Sequence, residues 1–116
     1  MARKINLKTL LSARGRTIEQ KLALFAWLNL GIVESLTKGL LTPADAVSIF
    51  FNADNCLFVQ RSLKQAEAEE IMSRGVQLAD LFDALPPKRA NQELQKELKR
   101  MHSLSLNILE QKRLAA

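Results

Sequence analysis

The sequence predicts an all-α protein, a compact single-domain bundle of four to five helices with a basic N-terminal arm. Three observations carry this reading. Leu, Ala, Lys, Glu, Gln and Arg dominate the 116 residues, while there is no Tyr, one Trp and five Phe; the dominant residues are the good helix formers. Apolar side chains recur at helical spacing along most of the chain. Capping residues and stop signals divide that pattern into segments of helical length. A chain this long buries about two-thirds of its unfolded surface on folding, enough for one core without staples. No repeat, low-complexity tract or long linker interrupts it, so the organisation expected is an arm over 1–16 and a helical bundle over 17–116.

The arm comes first. Within Lys4-Ile5-Asn6-Leu7-Lys8 apolar and polar residues alternate, as in a strand, whereas Leu7, Leu10, Leu11 and Arg14 share one face of a short helix. In either conformation Ile5, Leu7, Leu10 and Leu11 need a surface to pack against, so the arm is expected to be docked.

Thr17-Ile18-Glu19-Gln20 has the spacing of a capping box, a hydroxyl at the N-cap with Gln three residues on. A long helix follows to about Lys38, ended by Gly39 in the left-handed conformation. Leu22, Leu24, Phe25, Trp27, Leu28, Leu30, Ile32 and Val33 leave this helix no clean polar face. Such a helix sits in the middle of a bundle or at a subunit interface. Gly31 costs about 1 kcal/mol against Ala in a helix interior and marks a candidate close crossing.

Thr42-Pro43-Ala44-Asp45 starts another helix, with a capping hydroxyl, Pro at the first position and an acid at the positive end of the dipole. It carries Val47, Phe50 and Phe51 inward and breaks around residues 52–55. A short helix runs through Leu57, Phe58, Val59 and Leu63. Glu67 to Leu85 reads as one further helix, stopped by Pro86-Pro87 because a residue before proline avoids the α region. The last helix, Asn91 to Leu114 with Asn91 as cap, gathers Leu94, Leu98, Met101, Leu104, Ile108 and Leu109 into one stripe. Ser105 and Lys112 break it too often for a coiled coil.

Charge narrows the function classes. The net charge is +5, with seventeen cations and twelve acids. Arg3, Lys4, Lys8, Arg14 and Arg16 all precede the first acid, so the body is neutral and the excess lies in the arm. A basic arm can grip phosphates, lie on anionic lipid or enter an acidic groove. Five cations supply only a modest polyelectrolyte effect, and a solvated leader accounts for them equally well. The arm's composition also matches a mitochondrial transit peptide, though a cytoplasmic location is the simpler expectation. One cysteine, Cys56, suits a reducing compartment, and its apolar setting reads as a small buried hydrophobe. The longest apolar run, Leu22 to Val33, is too short for a membrane span of about 20 residues.

Motifs that would carry chemistry are missing. The four glycines are scattered, with no phosphate-cradling loop, and no Cys/His pair has zinc spacing. Bundle metal sites use Glu-x-x-His motifs, but the position three before His102 is Lys99. Glu67, Glu69 and Glu70 form an acidic first turn, and Glu70 with Arg74 has the i, i+4 spacing of a surface ion pair. His102 lies off the apolar stripe and faces water. A helix-turn-helix fails because Pro43 to Ser48 offers Asp45 and no base-reading Arg, Lys or Asn.

Leu30-Gly31-Ile32-Val33-Glu34-Ser35-Leu36, then Gly39-Leu40-Leu41-Thr42 leading to Ala46 and Phe50-Phe51-Asn52, with Gly75, Leu78, Asp80 and Leu85-Pro86, resembles small uncharacterised bacterial helical proteins of unknown function. The resemblance spans Leu22 to Pro86. It implies a cytoplasmic bacterial origin and a compact helical fold, and no site residues.

The expectation is therefore a non-catalytic interaction or regulatory module that binds a protein partner, a homodimer included, with no cofactor, no metal and no membrane span. Trp27, Leu24 and Leu30 are the candidate interface, because aromatic residues are enriched at interface cores; the alternative is that Trp27 is central core. The second expectation is a nucleic-acid accessory protein whose Arg3, Lys4, Lys8, Arg14 and Arg16 hold phosphates without sequence preference. An enzyme using Glu67, Glu70, Asp80 or His102 ranks last, since nothing in the sequence makes these groups converge.

Overall fold

A computed structural model describes residues 4–13 and 15–113, excepting the side chains of residues 112 and 113; Arg3 and Arg14 lie outside the described residues. Among these residues the chain is helical, with no strand. Seven α-helices follow one another: α1 (Leu7–Leu11), α2 (Ile18–Thr37), α3 (Pro43–Ile49), α4 (Ala53–Phe58), α5 (Ala66–Val76), α6 (Asp80–Ala84) and α7 (Pro87–Arg113). A π-turn over Val59–Leu63 continues α4.

The local signals work as their chemistry requires. Thr17 Oγ1 accepts from the Gln20 amide at 3.1 Å while Gln20 Oε1 accepts from the Thr17 amide at 2.9 Å, a complete capping box. Gly39, at φ +73°, ends α2, and the Leu40 amide reaches back to the Ser35 carbonyl at 2.8 Å. Thr42 caps α3 in the same reciprocal way with Asp45.

Antiparallel α2 and α7 form the centre of the fold. At about 1.5 Å per residue, the 27 residues of α7 run along most of the molecule's 46 Å long axis. Leu22, Phe25, Ala26, Ile32, Val33 and Leu36 of α2 bury against the stripe of α7, in which Leu94, Leu98, Met101, Leu104 and Ile108 are buried as their spacing requires. Phe50 and Phe51, at the end of α3, close the core from the side. Phe25 and Phe50 stack at 6.1 Å between centroids, and Phe51 meets Phe50 edge-on at 5.0 Å.

The structure decides one open alternative and differs from the sequence reading at three further places. The all-round apolar α2 is not enclosed by the bundle, because Trp27 on its outer side is 58% exposed and so is not core. The helix expected from Glu67 to Leu85 is two helices. Turns over residues 77–79 interrupt it: Leu78 stays buried, while Phe82, which a straight continuation at 100° per residue would also have carried to the buried face, is exposed. The last helix starts at Pro87, whose fixed φ suits a first turn. Asn91 is then inside the helix, donating its side-chain amide to the Pro87 carbonyl at 3.0 Å. Cys56 is half-buried at the edge of the core rather than enclosed, and its burial pushes the thiol pKa up.

The N-terminal stretch takes the helical alternative and is docked. Leu7 and Leu11 are fully buried in the main core. The buried Asn55 holds the segment: its Oδ1 accepts from the Leu7 amide at 3.0 Å, and its Nδ2 donates to the carbonyls of Ile5 and Phe50, both at 2.8 Å. The Ile5 amide also donates to the Ile49 carbonyl at 2.8 Å.

Candidate functional site

Two surface features are built by the fold. The first is the outer side of the α2–α7 pair. Asn29 meets Ser105 across it, which sets the N-terminal half of α2 alongside the C-terminal third of α7. Val33 and Thr37 line a groove with Leu98 and His102, marking one flank of the pair. Followed at roughly 100° per residue, that flank carries Ala23, Trp27 and Leu30 on α2 and Leu106 and Leu109 on α7. Trp27 and Leu106 are exposed, and Leu30 and Leu109 are half-buried. Leu24 is half-buried beside Trp27, on the side away from α7.

Of the three candidate interface residues, the fold leaves Trp27 exposed with Leu30 on the flank shared with α7, while Leu24 packs against the core on the other side of Trp27. Leu106 was missed because it lies off the buried stripe of α7. An apolar residue on the polar side of an amphipathic helix is the signal that could have found it. Gly31, one turn beyond Trp27, faces open space, so no close crossing inside the chain accounts for it.

The second feature surrounds the N-terminal segment. A cavity of about 480 Å³ opens between α1 and the α4 π-turn, lined by Lys8 from the arm and Arg61 from the turn. Of the cationic candidates, Lys4 and Lys8 are exposed and Arg16 is partly buried, its guanidinium donating to the Leu10 carbonyl. Arg61 was missed because only the docking of the arm places it on the same cavity as Lys8.

The acidic candidates are dispersed or already engaged. Glu70 accepts from Arg74 Nε at 2.8 Å and from Arg100 Nε at 3.2 Å, and Arg74 also donates to Glu97 at 2.8 Å. The hydrogen bond from Arg74, then that from Arg100, holds the Glu70 carboxyl below the usual carboxylate range. This network ties α5 to α7. His102 and Asp80 are exposed; the groove beside His102 contains Glu34 and Lys99, and neither Glu67, Glu70 nor Asp80. Among the described residues no three His, Cys, Asp or Glu side chains are grouped to hold a metal. No described helix is long and apolar enough to cross a membrane.

These features define a small all-helical domain with an exposed tryptophan on its outer face and a cationic groove at its N-terminal end. The chain belongs to the family described as "Protein of unknown function (DUF3969)", whose model matches residues 16–115. No curated protein and no solved structure matches it.

Proposed function

We propose that this protein is a non-catalytic interaction module whose binding face is the Trp27 side of α2, and that the first partner is a second copy of the chain, in the cytoplasm. One observation carries the reading. The only Trp of the chain is 58% exposed in mid-helix, flanked on its own helix by the half-buried Leu24 and Leu30. Trp is among the residues most enriched where partners contact each other. An exposed aromatic of this size is the kind of anchor that fills a pocket on a partner.

The test is mass in solution against concentration, read together with Trp27 fluorescence. Association predicts a mass that rises with concentration and an emission maximum that shifts to shorter wavelength as the indole leaves water. Trp27→Ala should abolish the rise in mass without lowering thermal stability, since the side chain is mostly outside the core. A monomer mass that does not change with concentration would sink self-association.

A second reading, phosphate binding through the N-terminal cations, is favoured by the outward placement of Lys4 and Lys8. Deleting residues 1–16 is a poor test of it, because that also removes Leu7 and Leu11 from the core. Neutralising Lys4 and Lys8 with Gln keeps the fold. If the cations bind nucleic acid, affinity should fall steeply with salt and fall further in the double variant.

A further inference from the structure

We propose that the cavity between the N-terminal segment and the α4 π-turn binds a phosphate-bearing small molecule, with Lys8 and Arg61 as its charge partners. The volume of about 480 Å³ lies within the range of small-molecule sites, about 300–1,000 Å³. Its two cations come from distant parts of the sequence and line one cavity because the arm is docked, by Leu7 and Leu11 in the core and by the hydrogen bonds of Asn55. Neither Lys8 nor Arg61 forms an ion pair among the described residues. By contrast, Arg74 and Arg100 are both engaged by carboxylates across the α5–α7 contact.

The rest of the lining suits a phosphate ester rather than a bare hydrophobe. Ser12 and Ser62 bring hydroxyls to the same cavity, and Phe58 supplies an apolar wall. Asp54 lines it too. Two cations against one carboxylate leave the cavity positive, so a phosphate is favoured. The carboxylate in turn suits a ligand that also carries a hydroxyl or amino donor.

The backbone here is irregular, and it carries Val59 and Leu63 into the core while leaving Arg61 and Ser62 at the surface. Arg61 and Ser62 sit in the π-turn, which ends when the Lys64 amide bonds to the Val59 carbonyl at 3.1 Å and Lys64 adopts φ +48°. A left-handed conformation at a residue other than glycine is held only where the surroundings enforce it.

The test is a titration of the full-length, isotope-labelled protein with glycerol 3-phosphate, and separately with inorganic phosphate, followed by amide NMR. The amides of Lys8, Ser12, Arg61 and Ser62 should shift and saturate in the millimolar range or below. The ester should bind more tightly than inorganic phosphate. Lys8→Gln and Arg61→Gln should each weaken binding at least fivefold, while the distant Lys38→Gln leaves it unchanged. All three variants replace exposed side chains, and an unchanged urea midpoint confirms that each is folded. The proposal is overturned if those amides do not saturate with either probe. It is equally overturned if Lys38→Gln weakens binding as much as Lys8→Gln, because that marks diffuse attraction to a basic surface.

Discussion

The ring of Phe51 occupies the space that a Cβ on Gly75 would fill, closer than side-chain carbons approach one another in folded proteins. Gly75 is buried in the last turn of α5, and Phe51 is almost fully buried beneath it. Gly31 is also inside a helix, but a Cβ there would meet nothing within 4 Å. The two glycines therefore answer the same substitution with opposite signs. Gly75→Ala should destabilise by at least ~2 kcal/mol through overpacking. Gly31→Ala should stabilise by about 1 kcal/mol through helix propensity alone. Urea unfolding of the two variants checks both. A neutral Gly75→Ala would mean that Phe51 has another rotamer open to it.

Asn55 decides whether the N-terminal segment is part of the domain. It is buried with both polar atoms of its side chain engaged, one of them twice. Asn55→Ala should cost about 2–4 kcal/mol, since each buried group left unpaired costs roughly 1–3 kcal/mol. The loss should also be local. Hydrogen exchange at the Leu7 amide should accelerate more than at amides of α7, because that amide loses its acceptor. Equal acceleration everywhere would mean that the segment and the body open together.

The all-helical class, the two long helices and the buried stripe of α7 were legible because each rests on local chemistry. Thr17 and Gln20, Thr42 and Asp45, and Gly39 act on neighbours three to five residues away, so sequence order alone exposes them. The break between α5 and α6 was not legible. Leu78 and Phe82 are equally apolar, and only the position of the core against them decides which is buried. The π-turn was hidden for a similar reason, since Val59 to Leu63 is an unremarkable helical string until Lys64 closes it. Of the candidate interface, Trp27, Leu24 and Leu30 could be named from periodicity. Which side of α2 the bundle covers follows from α7, a partner far along the chain. Lys8 was nameable as a cation, whereas its convergence with Arg61 required the fold.

Asn29 and Ser105 form the polar contact at the centre of the α2–α7 interface. The Asn29 side-chain amide donates to Ser105 Oγ at 2.7 Å, and that hydroxyl donates to the Met101 carbonyl at 3.0 Å. Asn29 Oδ1 is buried without a protein partner. Ser105→Ala should therefore cost about 1–3 kcal/mol, because it strands the amide as well. Combining it with Asn29→Leu should recover most of that loss, since removing both partners of a buried bond approaches neutrality. A double-mutant cycle by urea unfolding measures the coupling, and additive losses would show that the two side chains act independently.

Acid should weaken the α5–α7 contact through Glu70. Its carboxyl is held below the usual range by hydrogen bonds from Arg74 and then Arg100, so the folded protein binds this proton less readily than the unfolded chain does. Proton uptake on acidification thus favours unfolding. The contribution is complete above the ordinary carboxylate pKa, roughly 4.3, and is lost as pH falls from there through the lowered value in the folded state. Glu70 and Arg74 are each about a third exposed at the side chain, and Arg100 about half. Solvent screening keeps the effect small: Glu70→Gln should cost no more than about 1 kcal/mol at pH 7. The informative quantity is the slope. Between about pH 5 and pH 3 the urea midpoint of the unmodified protein should fall more steeply than that of Glu70→Gln. The cost of the substitution at pH 7 should shrink in 1 M salt, where the Debye length is about 3 Å. Parallel pH profiles would assign the acid sensitivity to other carboxylates and leave Glu70 as packing alone.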